Sequence, residues 1–246
     1  MSSERIAHEL AHGKFLAAHD AERIWGWHTP AGRIRADRRA QMVINGADLR
    51  LGMNILEIGC GTGVFTERLA RSGAKITAID LSADLLHFAR NRGLDANQVQ
   101  FIEGRFEDAQ LPGGFDAVVG SSVLHHLEVE AALRKIHALV RPGGAMAFAE
   151  PNMLNPQIAI QKNIPAVKRW SGDSPDETAF VRFSLRRLLE QIGFVDIRIT
   201  PFDWLHPSTP KPVIPLVRAM GNLVERVPGV REFAGSLVIA ARVSSR

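Results

Sequence analysis

From residue 51 onward, short apolar runs alternate with stretches whose apolar positions recur every three or four residues. The runs "NILEIG" (54–59), "KITAID" (75–80), "VQFIE" (99–103), "FDAVVG" (115–120) and "AMAFAE" (145–150) predict buried strands. The stretches between them, 64–72, 83–92 and 128–140, predict helices. Gly73 and Gly93 stand just past the first two, where a left-handed residue ends a helix, and "RPGG" follows the third. Ser82 occupies the N-cap position ahead of "ADLLHFAR". Strand and helix alternating at this pitch require right-handed crossovers and a parallel sheet. "VDIRIT" (195–200) and "SLVIAAR" (236–242) add two later strands. The prediction is an α/β fold: a doubly wound, mostly parallel seven-stranded sheet with helices on both faces and helical covering segments.

In such a sheet the ligand binds beyond the C-terminal strand ends, where the strand order reverses. The turn after the first strand lies there, and it is crowded with glycine: Gly59, Gly61 and Gly63 around Cys60. A phosphate-gripping loop of the G-x-x-x-x-G-K-[ST] type needs a lysine that this turn lacks. The dinucleotide pattern G-x-G-x-x-G fails at its last position, which is Val64, although the acid it also wants is present as Asp80. A tight strand-to-helix connection with no ligand is the third reading of the same turn.

The E-x-G-x-G-x-G pattern of Glu57, Gly59, Gly61 and Gly63, followed by Asp80 at the end of the next strand, resembles the class I S-adenosylmethionine-dependent methyltransferases. "FDAVVGSSVLHHL" and "LVRPGGAMAFAEP" extend the resemblance over about residues 51–150. It implies a Rossmann-like fold with S-adenosyl-L-methionine as cofactor, a ligand without phosphate. Bare backbone lets that ligand lie against the turn. The cofactor contacts so implied are Glu57, Gly59, Cys60, Gly61, Gly63, Asp80, Leu81, Arg105, Phe106 and Ser121. Asp80 would accept from the ribose hydroxyls, and Leu81 would pack on the adenine. The chain departs from the family where an acid often follows the third strand: Arg105 cannot accept a hydrogen bond. Backbone of Arg105 and Phe106, or Glu107 and Asp108, are the alternatives.

Methyl transfer from a sulfonium rests mostly on alignment, with a base added where the acceptor holds its proton tightly. His125 and His126 follow the fourth strand, beside the expected methyl position, and one of them is the candidate base. A purely structural pair is the competing reading. Glu150, His28 and His206 are further candidates. The loop "GSSV" replaces the [ND]-P-P-[YF] of base-amine methyltransferases, and the chain's single cysteine, Cys60, sits in the glycine turn rather than in a nucleophile's place. A nucleic-acid acceptor is therefore disfavoured.

"HELAH" (8–12) is a literal H-E-x-x-H, the zinc helix of metallopeptidases. Phe15 and His19 break its extended form, so it is read as a solvated helix face, and no metal is expected. The arginines 33, 35, 38 and 39 are open to two readings, a solvated helix face or an RNA contact.

All 246 residues are read as one domain. Residues 1–45 form a helical cap, 51–150 the cofactor half, and 151–182 and 201–235 are substrate-covering insertions. Their Trp25, Trp27, Trp204 and aliphatic content suggest a small acceptor, apolar or lipid-like, methylated on O, N or C. A non-catalytic cofactor-binding protein and an RNA methyltransferase are the alternatives. One cysteine rules out an intrachain disulfide and suits a reducing, cytoplasmic setting. No apolar run approaches the roughly 18 residues of a membrane span, the start does not read as a secretory signal, and the net charge of +4 is too modest to name a partner.

Overall fold

The computed structural model describes residues 3–171, 174 and 177–245. Seven strands make its sheet: β1 (Asn54–Ile58), β2 (Lys75–Asp80), β3 (Val99–Glu103), β4 (Phe115–Ser121), β5 (Val140–Pro151), β6 (Phe194–Phe202) and β7 (Ser236–Val243). The helices are α1 (Ser3–Ala18), α2 (Ala21–Ile24), α3 (Pro30–Ala47), α4 (Val64–Ala70), α5 (Ala83–Arg90), α6 (Val129–Leu139), α7 (Pro156–Asn163), α8 (Pro165–Trp170), α9 (Arg182–Ile192) and α10 (Ile214–Val224).

The strand order is β3-β2-β1-β4-β5-β7-β6. β1 to β5 run parallel, with registers such as Glu57↔Ala78 and Glu57↔Val119, and β7 inserts antiparallel between β5 and β6. The chain steps outward from β1 to β3, then returns to the other side of β1 as β4. That reversal opens a crevice at the ends of β1 and β4.

The central strands are apolar on both faces because helices cover both. On one face Leu133 and Ile136 of α6 and Leu185 and Leu189 of α9 pack with Leu56, Ile58, Val118 and Phe148. On the other, Val43 of α3, Leu69 of α4 and Leu86 of α5 pack with Ile55, Val119 and Ala147. The period of two puts Glu57 on this second face with Ile55, away from Leu56 and Ile58. Alanines on the strands let α3 approach closely: a Cβ at Gly46 would stand 3.2 Å from those of Ala147 and Ala240.

The structure differs from the sequence expectation in particular places. α4 and α5 end at Ala70 and Arg90, two residues early. α6 stops at Leu139, and "RPGG" lies inside β5 rather than ending a helix. The register jumps from Phe115↔Val140 to Ala117↔Ala145, so these residues form a bulge, where proline and glycine are tolerated. The turn-rich 151–182 segment holds α7 and α8, each opened by a proline in its first turn, where no intrahelical N–H is needed. Among the described residues no helix is long and apolar enough to cross a membrane.

Candidate active site

All three glycines after β1 have positive φ: +67° at Gly59, +51° at Gly61 and +80° at Gly63. Gly59 also has no room for a side chain, since a Cβ would lie 2.3 Å from Val123 Cγ2 in the loop after β4. At Gly61 the nearest neighbour of such an atom is the Trp25 ring, 3.4 Å away. The turn therefore shows bare backbone to the space beneath that indole. Asp80 at the end of β2 holds the turn in shape. Its Oδ2 accepts from Gly61 N–H at 2.7 Å, and its Oδ1 from Ser82 N–H at 2.9 Å. Each oxygen keeps a further lone pair for a ligand hydroxyl. Burial pushes the Asp80 carboxyl above its ordinary range, against the pull of those two N–H groups.

A cavity of about 790 Å³ opens from this turn. Gly59, Cys60, Gly61, Asp80, Leu81, Arg105, Phe106, Ser121, His125 and His126 line it, together with His28 and His206 from the covering segments. Glu57 and Gly63 do not. Gly63 N-caps α4 behind the turn. Glu57 is 1% exposed, its Oε2 has no partner among the described residues, and burial raises its pKa to about 8. Cys60 is buried too, with its thiol pushed up by burial and by the nearby Asp80 and Glu57 carboxyls. Arg105 turns to Asp108 and Glu107 instead of offering an acceptor, while Phe106 packs beneath the Lys135 ammonium, 5.1 Å from its ring centre.

At the other end of the cavity, the loop after β4 carries the histidine pair. Ser122 opens that loop with φ +56°, a strained setting for a non-glycine residue. Glu150 on β5 accepts from Val123 N–H and Leu124 N–H, both at 3.0 Å, and its Oε2 lies 2.7 Å from His125 Nδ1. Burial alone would raise the Glu150 pKa, but these bonds hold it below its usual range. Glu150 does not line the cavity. It orients His125 rather than facing a substrate. An ionised Glu150 accepts a hydrogen bond from His125 Nδ1–H, which leaves the lone pair on Nε2, and burial, followed by the neighbouring His126, lowers the His125 pKa. His126 also turns its Nε2 toward Glu177, 3.8 Å from Oε1, but sets its Nδ1 against a different carboxylate. Its Nδ1 lies 2.9 Å from Glu9 Oε2, too oblique for a well-formed hydrogen bond, and its pKa is raised. Burial opposes that rise, and Glu9 and Glu177 outweigh it.

Two features read from sequence as solvated faces turn inward. Glu9 and His12 of α1 line the cavity, whereas His8 does not, so the H-E-x-x-H pair does not converge there. Arg35 pairs with Asp203 at 2.8 Å and Arg38 with Glu225 at 2.5 Å. Arg39 is buried and donates to Ser121 Oγ and Ser236 Oγ at 3.1 Å and to Ala149 O at 3.3 Å. Desolvation lowers its pKa to about 10. The buried pair of Glu177 and Lys162, 2.5 Å apart, faces the histidines and was not singled out in the sequence. Burial would raise the Glu177 pKa, but His126, Lys162 and His125 hold it at about 2. Nothing in "SGDSPDETAF" marks Glu177, because apart from Ser174 N–H, which donates to its Oε1 at 2.7 Å, its partners come from α1, α7 and the loop after β4.

The turn itself, "GCGTG", offers no cation for a phosphate. It suits a ligand with hydroxyls for Asp80 and a flat apolar part for Leu81 and Phe106.

Residues 55–144 match the family model described as "Methyltransferase domain". The chain is 34% identical over 150 residues to a ubiquinone biosynthesis O-methyltransferase of Xanthomonas campestris, a match covering 59% of this chain and 62% of that protein. The chain thus spans less than two thirds of the length of that relative. Its fold is similar to that of the N-methyltransferase NodS from Bradyrhizobium japonicum, solved with S-adenosyl-L-homocysteine (TM-score 0.62, 18% identity, 95% and 97% of the two chains). It is also similar to the [4+2]-cyclase SpnF (TM-score 0.60, 23% identity, 85% and 81% covered).

Proposed function

We propose that this chain, which carries a class I S-adenosylmethionine-dependent methyltransferase domain, transfers a methyl group to an O, N or C atom of a small, apolar molecule. The observation that carries this reading is one cavity with a cofactor end and a chemistry end. Bare backbone at Gly61 beside Asp80 lies at the first, and the His125–Glu150 dyad at the second. Gly59 and Gly61 would hold the cofactor by backbone, Asp80 by hydroxyls, and Leu81 and Phe106 by apolar contact. Bound there, S-adenosylmethionine supplies a methyl group on a positively charged sulfur. The chain's own part is to orient the acceptor and to handle its proton. In the metal-free protein His125 Nε2 is the proton acceptor, because Glu150 fixes its tautomer and burial keeps the ring neutral. His126, its pKa raised by Glu9 and Glu177 against burial, holds the loop.

The acceptor class follows from the walls. Leu16, Ile24, Trp25 and Trp27 give the cavity an apolar wall beside its charged and polar lining. The O-methyltransferase relative supports an oxygen as the acceptor atom. An RNA acceptor finds little support, since Arg35, Arg38 and Arg39 are taken up by internal partners. The test is incubation with methyl-labelled cofactor and a panel of hydroxylated, amine-bearing and carbon-nucleophile small molecules, with RNA in parallel. Label in a small molecule is the expected result. Label in RNA, or no turnover with any class despite tight cofactor binding, overturns the reading.

A further inference from the structure

We propose that His125, His126 and Glu177 form a divalent-metal site at the acceptor end of the cavity. The proposal rests on side-chain geometry and is independent of methyl transfer. One potential ligand atom from each residue lies within 4.8 Å of the other two. His125 Nε2 is 3.8 Å from Glu177 Oε2, and His126 Nε2 is 3.8 Å from Glu177 Oε1. In a tetrahedral site with bonds of about 2.0–2.1 Å, neighbouring ligand atoms stand about 3.4 Å apart. The two 3.8 Å contacts use different carboxylate oxygens, so gathering one atom from each residue onto a single ion takes a contraction of about half an ångström at those contacts and of up to about 1.4 Å over the widest pair.

The surroundings are those of a built site. Each histidine sets its other ring nitrogen against a carboxylate, Glu150 at 2.7 Å for His125 and Glu9 at 2.9 Å for His126. The Glu150 hydrogen bond fixes the His125 tautomer and aims its remaining lone pair at an ion, and Glu9 lies at ion-pair distance from His126 without a well-formed hydrogen bond. His12 Nε2 lies 3.8 Å from Glu177 Oε1, beside the triad but outside it. Three carboxylates, Glu9, Glu150 and Glu177, thus converge on imidazoles in a buried place. Lys162 Nζ, 2.5 Å from Glu177 Oε2, supplies positive charge there and would have to yield part of that carboxylate. The donor set is imidazole and carboxylate without thiolate, which suits Zn²⁺, Co²⁺, Mn²⁺ or Fe²⁺. Six of these seven side chains line the cavity, Glu150 being the exception, so the ion's open positions would face the cavity. An acceptor hydroxyl binding there would form a metal–oxygen bond and release its proton to solvent, and the imidazoles would act as ligands instead of bases.

Chelator-treated, dialysed protein titrated with Co²⁺ tests this by visible absorption, with Zn²⁺ as competitor. One Co²⁺ per chain with ligand-field bands, displaced by Zn²⁺, is expected. His126→Asn and Glu177→Gln should abolish those bands. Glu9→Gln, which lies outside the ligand set and touches His126 and Ser174, should weaken Co²⁺ binding about 10–100-fold, and Lys162→Met should strengthen it. Circular dichroism and S-adenosylhomocysteine binding, recorded on each protein, show whether it is folded and keep the two readings apart. No bands in the wild type, or bands indifferent to Glu9→Gln and Lys162→Met, overturn the metal site even where cofactor binding is intact.

Discussion

Glu57→Gln isolates the one buried carboxyl near the cofactor turn that faces no cavity. Glu57 is 1% exposed, and burial lifts its pKa to about 8, with Asp80 adding to the rise and Thr66 opposing it. In the unfolded chain a glutamate titrates at about 4.3. A folded-state pKa above the unfolded one means that the folded protein holds its proton longer. The stability is then complete below pH ~4.3 and is lost as pH rises toward about 8. The slope is about 1.4 kcal/mol per pH unit. The cost reaches about 4 kcal/mol at pH 7 and levels off near 5 kcal/mol above pH 8. Glutamine has the same shape and no charge to lose. An orphaned amide donor would add a constant penalty of about 1–3 kcal/mol, which does not vary with pH. The diagnostic is therefore the slope, not the offset. Urea unfolding followed by circular dichroism from pH 5 to 8.5 should show the variant gaining on the wild type up to about pH 8 and levelling off beyond it. A difference between the two proteins that stays flat across the window would refute the reasoning and show that Glu57 is already ionised in the fold.

Other outcomes follow from the same geometry. Gly61→Val forces a β-branched residue into φ +51° and sets its side chain against Trp25; calorimetry should show no S-adenosylhomocysteine binding while circular dichroism reports a folded chain. Glu150→Gln should keep the two backbone N–H bonds but move the His125 proton from Nδ1 to Nε2, visible in ¹⁵N NMR of the ring, and lower kcat by about 10²–10⁴ once an acceptor is known. Retention of the Nδ1–H tautomer in that variant would contradict the dyad. Arg39→Met strips donors from Ser121, Ser236 and Ala149 and should cost about 1–3 kcal/mol in a urea titration; an unchanged midpoint would show that the buried guanidinium is dispensable.

How much was legible in the sequence depended on whether the relevant signal was local. β1, the glycine turn and Asp80 are written in consecutive residues, since φ at Gly61 and the end of β2 are set by nearby chain, and they lie where the pattern placed them. His125 and His126 were visible as a pair, but their division of labour was not, because Glu150 and Glu9 come from β5 and α1. Glu57 shows the opposite failure. The motif pointed to it, while the pleat of β1 turns it under α3 and α4. The arginines 35, 38 and 39 looked solvated because their partners Asp203, Glu225 and Ser236 lie more than 160 residues downstream, beyond any periodicity argument. Glu177 had no signal at all.

The central claim is that the turn at Gly59–Gly63 together with Asp80 is a site for S-adenosylmethionine. Isothermal titration of the wild type and Asp80→Ala with S-adenosylhomocysteine tests it most directly. Asp80 is expected to accept from two ligand hydroxyls, and losing even one such charge-assisted bond, worth about 1.5 kcal/mol or more, weakens binding at least about tenfold. The account predicts one ligand per wild-type chain and that loss in the variant. Equal affinity in both proteins, or NAD bound in preference by the wild type, would contradict it.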